Sequence, residues 1–285
     1  MLTVHVIGGG SVGQTLGHLF VKHQIATVLG VVTRSEASAR AAIQFIGQGT
    51  YYTTAADLPH ADVTLITTPD HAFSDILEQL VCNPLLEPGA IVVHCSGALT
   101  SEYLSVLRDR NLVVASIHPM MSFKQPLVSV SQFVEIPCAL EGDVAALDKL
   151  TGLFTAIGAQ VYPIQKDKKA LYHVAAVFAS NYQVTLAQQA HSCLRAAGLS
   201  ESQAKHLVTV IMQSMLTHIR HAVEPKDALT GPIQRGDRVA IQQHLAALSD
   251  HPNLRDLYCL LGQATLPLTH LGQEQHQSVV DLLDS

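Results

Sequence analysis

The stretch Val4–Gly17, VHVIGGGSVGQTLG, carries an apolar run into a cluster of glycines and then resumes as an amphipathic pattern. Its glycines fall as Gly8-x-Gly10-x-x-Gly13, a spacing in which each has its own task. Gly8 permits a tight turn, Gly10 lets backbone approach a pyrophosphate, and Gly13 allows a helix to pack closely on a strand. The helix opening near Ser11 and Val12 then presents its first amides to the phosphates. A glycine-rich turn that binds nothing is the plain alternative. The context favours the binding turn, because a second strand-like run ends about twenty residues further on, as the dinucleotide pattern requires.

Working outward, β-rich runs alternate with helical periods as far as Ile164. Strands are expected at 2–7, 27–33, 63–67, 90–95, 112–117, 133–140 and 159–164, and helices at 11–24, 36–46, 72–81, 100–109 and 143–157. This alternation predicts an α/β doubly wound, mostly parallel sheet with helices on both faces. After Ile164 the strand signal stops. Asp167 reads as an N-cap and Gly198 as the residue closing one long helix, with Leu171, Val174, Phe178, Tyr182, Leu186, Ala190 and Leu194 forming its buried stripe. Ser200 to Gln203 reads as a capping box for a helix reaching about Ala222, and further helices follow Gly236 and Pro252. The expected division is 1–164 for the dinucleotide-binding domain and 165–285 for an all-α substrate and dimerisation domain.

The end of the second strand bears on the choice of cofactor. An NAD site usually places Asp or Glu there, whereas this chain has Thr33-Arg34-Ser35, and an arginine flanked by hydroxyls suits a 2′-phosphate. Glu36 works against this reading, but NADP is expected over NAD. Thr67-Thr68-Pro69 closes another strand, where residues border a cofactor in an open α/β sheet; an ordinary strand-to-helix turn is the alternative.

Two further strand ends are polar. IVVHCSG ends at Ser96-Gly97 and VVASIHPM at His118-Pro119, so Ser96 and His118 could orient a substrate oxygen and exchange its proton during hydride transfer. A turn histidine stiffened by proline is the alternative for His118. Lys169, His173 and Ser180 share a face of the long helix by spacing, with Asn181 beside them. Lys169 suits an anion or carbonyl oxygen and Asn181 a carboxylate or amide, against a solvated polar face. In LTGPIQRGD (229–237), a tight interhelical turn with Asp237 as cap competes with Arg235 as an anion clamp.

The totals set limits. Among 285 residues, 48% are hydrophobic and 14% charged, with a net charge of −6, so nucleic acid and anionic membranes are not expected partners. No apolar run reaches the ~18–20 residues of a bilayer span, and no signal peptide is read. The five cysteines lack a CxxC pair, which suits reduced thiols in the cytoplasm. The 16 histidines include His206, His218 and His221 on one helix, but without carboxylate or cysteine at ligand spacing no metal is expected. Surplus apolar residues of the second helix (Leu207, Val208, Val210, Ile211, Met215 and Leu216) predict a homodimer through the helical domain.

The glycine turn, HPMMSF (118–123), ALYHVAAVFASNY (170–182) and LTGPIQRGD together resemble a bacterial two-domain family with an N-terminal Rossmann-like NAD(P)-binding domain and a C-terminal helical domain of unknown function. That family is similar in architecture to ketopantoate reductase, pyrroline-5-carboxylate reductase and 6-phosphogluconate dehydrogenase. The resemblance implies an NAD(P)-dependent oxidoreductase acting on a small carbonyl, hydroxy-acid or imine substrate, a 2-keto acid such as ketopantoate included. Ser96 and His118-Pro119-Met120 also resemble the serine and His-Pro motif of prephenate dehydrogenases, whose histidine is a base. The hydroxyacid dehydrogenases follow their helix lysine with asparagine four residues on; here His173 holds that place. A non-catalytic dinucleotide-binding sensor or scaffold, and a reductase using a deazaflavin, are the alternatives.

Overall fold

The computed structural model describes residues 1–284. By compactness the chain divides into two units, Met1–Phe178 and Ala179–Ser285.

The first unit is built on eight strands: β1 (Leu2–Ile7), β2 (Ala26–Val32), β3 (Thr50–Tyr52), β4 (Val63–Ile66), β5 (Ile91–His94), β6 (Val113–Pro119), β7 (Pro137–Gly142) and β8 (Gln160–Pro163). They form one sheet in the order β3-β2-β1-β4-β5-β6-β7-β8. Every pairing is parallel except β6 with β7. The order reverses between β1 and β4, which opens a crevice beyond their carboxyl ends.

Successive strand residues face opposite sides, and here both sides are apolar. Val4, Val6, Leu65, Val93 and Ile117 join one core with Leu16, Phe20, Leu150 and Phe154. Ile7, Ile66, Val92 and Val114 join another with Phe73, Leu80, Leu104 and Leu107. The continuous apolar runs of the sequence are what a sheet covered on both faces requires. Its helices are α1 (Ser11–Lys22), α2 (Glu36–Ile46), α3 (Phe73–Cys82), α4 (Pro126–Gln132), α5 (Val144–Thr155) and α6 (Lys169–Ala179).

Several local expectations change. The 100–109 helix is a 3-10 segment, Ser101–Arg110. The strand expected from 133 starts at Pro137, because Glu135 takes φ +59 and its amide turns to the Gly158 carbonyl. Strand β3 and helix α4 were not expected at all. The helix expected to run unbroken from 167 to 198 is two. Lys166–Lys168 forms a 3-10 turn, so Asp167 is no cap, and α6 ends before Ser180, which adopts φ −130, ψ −67. Serine and asparagine offer the backbone competing local bonds, and the Ser180 hydroxyl bonds the Asn181 Oδ1 at 3.0 Å.

In the second unit every regular element among the described residues is helical: α7 (Asn181–Ala196), α8 (Glu201–His221), α9 (Pro232–Arg235), α10 (Arg238–Ala247), α11 (Pro252–Thr265) and α12 (Gln273–Leu283), with short 3-10 turns at Pro225–Ala228 and Leu266–Leu268. The Ser200–Gln203 capping box forms, Gly198 takes φ +93 after α7, and Asp237 caps α10 by accepting from the Ala240 amide. Helices α10 to α12 share a small core of Ile241, Leu245, Cys259, Leu266, Val279 and Leu283. Helix α7 buries none of its residues. Leu171, Val174, Phe178, Tyr182 and Leu186, expected as a buried stripe, are 41% to 69% exposed. Among the described residues no helix is long and apolar enough to cross a membrane.

Candidate active site

The glycine turn ends β1 at the topological switch. Gly8 has φ +111, and a Cβ on Gly13 would lie 2.1 Å from the Gly8 carbonyl oxygen, so neither position accepts a side chain. Thr67 reaches across from the end of β4 and donates its hydroxyl to the Gly8 carbonyl at 2.8 Å. Its role is therefore to hold the turn. A Cβ on Gly10 would meet nothing within 4 Å, so this backbone faces open space.

That space is a cavity of about 830 Å3 lined by Gly8, Gly10, Ser11, Val12, Thr33, Arg34, Thr67, Thr68 and Pro69 among others. The structure thus brings together all but two of the residues expected to hold a cofactor. The exceptions support the walls: Gly13 packs beneath the turn, and the Ser35 hydroxyl caps α2 by accepting from the Ser38 amide at 3.3 Å. Ser38 lines the cavity instead. The hydroxyl of Thr68 is buried without a hydrogen-bond partner, an arrangement that costs free energy unless a ligand supplies one. Glu36, the residue that clouded the choice of cofactor, is held by Arg40 at 2.5 Å.

The polar ends of β5 and β6 lie further along the same edge. Ser96 is buried and its hydroxyl is committed: it donates to Asp70 Oδ2 at 2.9 Å and accepts from the amides of Ala98 and Leu99. Serine here shapes a turn. Beside it, His94 accepts at Nδ1 from the Ser96 amide and bonds the Thr100 carbonyl through Nε2 at 3.1 Å, which fixes a neutral ring with its proton on Nε2. Burial, reinforced by the Lys169 charge, pushes His94 down to about 3.

His118 meets α6. Its Nδ1 lies 3.2 Å from the Tyr172 hydroxyl, and its ring stands edge-on to those of Tyr172 and His173, each at 5.8 Å between centroids. A Cβ on Gly97 would come within 2.9 Å of the Nε2 atoms of both His118 and His173. The absence of a side chain at Gly97 is what lets the two imidazoles converge. Burial, then His173, then Lys169 lower His118 to about 4, so its ring is neutral at pH 7. Burial raises Tyr172 to about 12, which keeps its phenol protonated.

Lys169 is 1% exposed. Its ammonium donates to the Ser116 hydroxyl and, at 3.2 Å, to Glu141 Oε1. Glu141 also accepts from the Ser101 amide at 2.8 Å and hydroxyl at 2.6 Å. Lys169 and His173 do share a face of α6, but Ser180 and Asn181 fall at and beyond the helix break, where the spacing no longer places them. Sequence reasoning missed Gly97, Tyr172, Ser116 and Glu141. Tyr172 and Gly97 stood inside quoted motifs, whereas Glu141 gave no signal before its strand was known to run antiparallel.

Residues 1–119 match the model of a Rossmann-like domain, and residues 136–265 the model described as a domain of unknown function, DUF2520. No curated protein matches the chain. Among solved structures, a candidate NADP oxidoreductase of Bacteroides fragilis is 25% identical with a TM-score of 0.75, over 93% of this chain and 97% of that one. An imine reductase of Myxococcus stipitatus in complex with NADP+ shares 17% identity, with a TM-score of 0.64 over 99% and 93%. The pyrroline carboxylate reductase of Plasmodium falciparum with NADP bound shares 13%, with a TM-score of 0.61 over 99% and 98%. The last two likenesses are of fold.

Two neutral imidazoles, His94 buried and His118 half-buried, make stability depend on pH. His94 and His118 titrate below the ordinary 6.5 when folded, so the unfolded chain binds more protons throughout that window. The stability they contribute is complete above about 6.5 and is lost as pH falls towards 4 and then 3. Urea unfolding at pH 5 should therefore show about 2 kcal/mol or more less stability than at pH 7. His94→Gln should reduce that difference, and equal stability of the native chain at both pH values would contradict it.

Proposed function

We propose that this chain, whose residues 1–119 match a Rossmann-like domain and 136–265 a DUF2520 domain, is an NADP-dependent oxidoreductase acting on a small carbonyl, hydroxy-acid or imine substrate. One observation carries this reading: a single cavity at the switch point is lined by the open side of Gly10, by Thr68 and by Arg34. The likeness to proteins named as NADP-linked oxidoreductases supports the class of reaction.

The residues fit the cofactor. The first-turn amides of α1, which have no partner within the helix, suit a pyrophosphate beside Gly10 and Ser11. With Glu36 engaged by Arg40, Arg34 and Ser38 offer donors to a 2′-phosphate, which favours NADP over NAD. Bound there, the nicotinamide supplies or accepts a hydride. His118 is the group proposed to handle the substrate proton at Nε2, while Tyr172 on Nδ1 fixes the ring. His173 converges on the same point and is proposed to bind the substrate beside it. Ser96 holds the turn that carries Gly97, and so acts on the site through backbone.

The helical unit is proposed to form a homodimer. Leu207, Val210, Ile211 and Leu216 of α8 are 38% to 57% exposed in the single chain, and Val184 of α7 is 71% exposed. Apolar surface this continuous is rarely left in water.

Fluorescence titration should show NADPH binding more tightly than NADH, and Arg34→Ala should weaken NADPH by roughly 10- to 100-fold, the ~1.5–3 kcal/mol of a charge-assisted hydrogen bond, with NADH little changed. Failure to bind either dinucleotide would end the reading. Against a panel of 2-keto acids and cyclic imines, His118→Ala should lower kcat by about 10²- to 10⁴-fold at nearly constant NADPH affinity. An unaffected kcat would move the proton to another group. Light scattering at micromolar concentration should give twice the chain mass, and a monomer would exclude the dimer.

A further inference from the structure

The Lys169 ammonium is buried and bonded to Ser116 and Glu141, not to the His118–His173 pair, so its place beside the site needs another explanation. Three strands supply its surroundings. On one face of the sheet the two-residue period puts His94 of β5 and Ser116 of β6 in line with Val92 and Val114. Because β7 runs antiparallel to β6, Glu141 lies beside Ser116 in the register. Strand β8 runs parallel to β7 and places Pro163 beside Leu140, so the chain begins α6 at the level of Ser116.

The two elements then climb together. From Ser116 to His118 is two strand residues, or roughly 6.6 Å. From Lys169 to Tyr172 and His173 is three or four helix residues, or roughly 5 to 6 Å, along one face. Lys169 on Ser116 therefore sets Tyr172 and His173 against His118 and Gly97.

We propose that Lys169 is a positioning residue, a buried ionic pin that joins α6 to Ser116 and Glu141 and so fixes the height of Tyr172 and His173 relative to His118. The pin suits its task because a buried ion pair tolerates little displacement: moving one partner leaves the other uncompensated. A hydrophobic contact at the same place would allow α6 to slide by fractions of a turn. This rests on the catalytic reading only for its consequence; the pin itself is a statement about His118 and α6 and needs neither cofactor nor substrate to be tested.

Imidazole nitrogen resonances of 15N-histidine-labelled protein provide that test. The groups facing His118 are Tyr172 and His173 from α6 with Lys169 behind them; those around Lys169 are Glu141, His94, Cys95 and Asp70. In the native chain His118 should titrate near pH 4, with an Nδ1 shift showing the Tyr172 bond. The double variant Lys169→Met/Glu141→Gln removes both charges and leaves the Ser101 contacts an acceptor. It should lose the Tyr172 signature and move the His118 titration upward by about one pH unit. A folded double variant that keeps the Tyr172 signature would overturn the pin whatever its titration, since loss of the Lys169 charge by itself moves His118 upward. Should that variant fail to fold, Ser116→Ala decides, since it keeps the ion pair but cuts the contact to β6. Loss or weakening of the Tyr172 signature is expected there, and an unaltered signature refutes the proposal. NADPH affinity, measured on the same samples, reports separately on the cofactor reading.

Discussion

A full charge buried beneath the carboxyl edge of a sheet constrains everything near it. Lys169 can remain there only if a carboxylate and a hydroxyl meet it, and both come from the one antiparallel step in the sheet. Were β7 parallel to β6 over the same span, Glu141, next to last in its strand, would stand near Pro119 instead of beside Ser116. The return of the chain through α4 and β7 thus brings an acid to the level of Ser116, and Ser101 satisfies its remaining lone pairs. Once that network is made, the start of α6 has one position, and the side chains a turn further along inherit it.

The other end of the site is organised by backbone. At the β1–α1 turn the decisive features are missing side chains: Gly8 for a left-handed φ, Gly13 for contact with the Gly8 carbonyl, and Gly10 for the open approach. Thr67 adds a single hydroxyl that closes the turn onto β4. The cavity beside it therefore needs no charged residue to keep its shape, which leaves Arg34 free to line it. Gly97 repeats the device at β5, where the lack of a Cβ admits two imidazoles.

This division explains what could be read from the sequence. Glycine spacing and the two-residue and three-and-a-half-residue periods are local, and they located the crevice, most strands and the second-half helices that open after Ser200, Gly236 and His251. The capping box at Ser200 and the Asp237 cap are likewise short-range hydrogen bonds. Long-range pairings were not legible. Ser96 looked like a group for the substrate because its bonds to Asp70, Ala98 and Leu99 exist only in the folded turn. Lys169 looked like a group for an anion or carbonyl oxygen of the substrate because Glu141 lies 28 residues away on a strand whose direction periodicity does not encode. The break at Ser180 was hidden because the apolar spacing continues through it, although the Ser-Asn pair was its one local sign.

The same buried charge also bears on the chemistry of the imidazoles. A protonated Lys169 next to His94 and behind His118 adds to their desolvation, so both rings stay neutral far below the pH at which a surface histidine would charge. Neutrality lets His118 present either a lone pair or an N–H at Nε2, depending on which partner holds Nδ1. With the Tyr172 phenol donating to Nδ1, the ring carries its proton at Nε2 and can donate to a substrate oxygen or nitrogen. If the phenol instead accepts from Nδ1 and donates to the His118 carbonyl, at 3.5 Å, the lone pair faces the site. Passing between these two tautomers requires Nε2 to release one proton and Nδ1 to gain another, with the Tyr172 hydroxyl turning between the imidazole and the carbonyl.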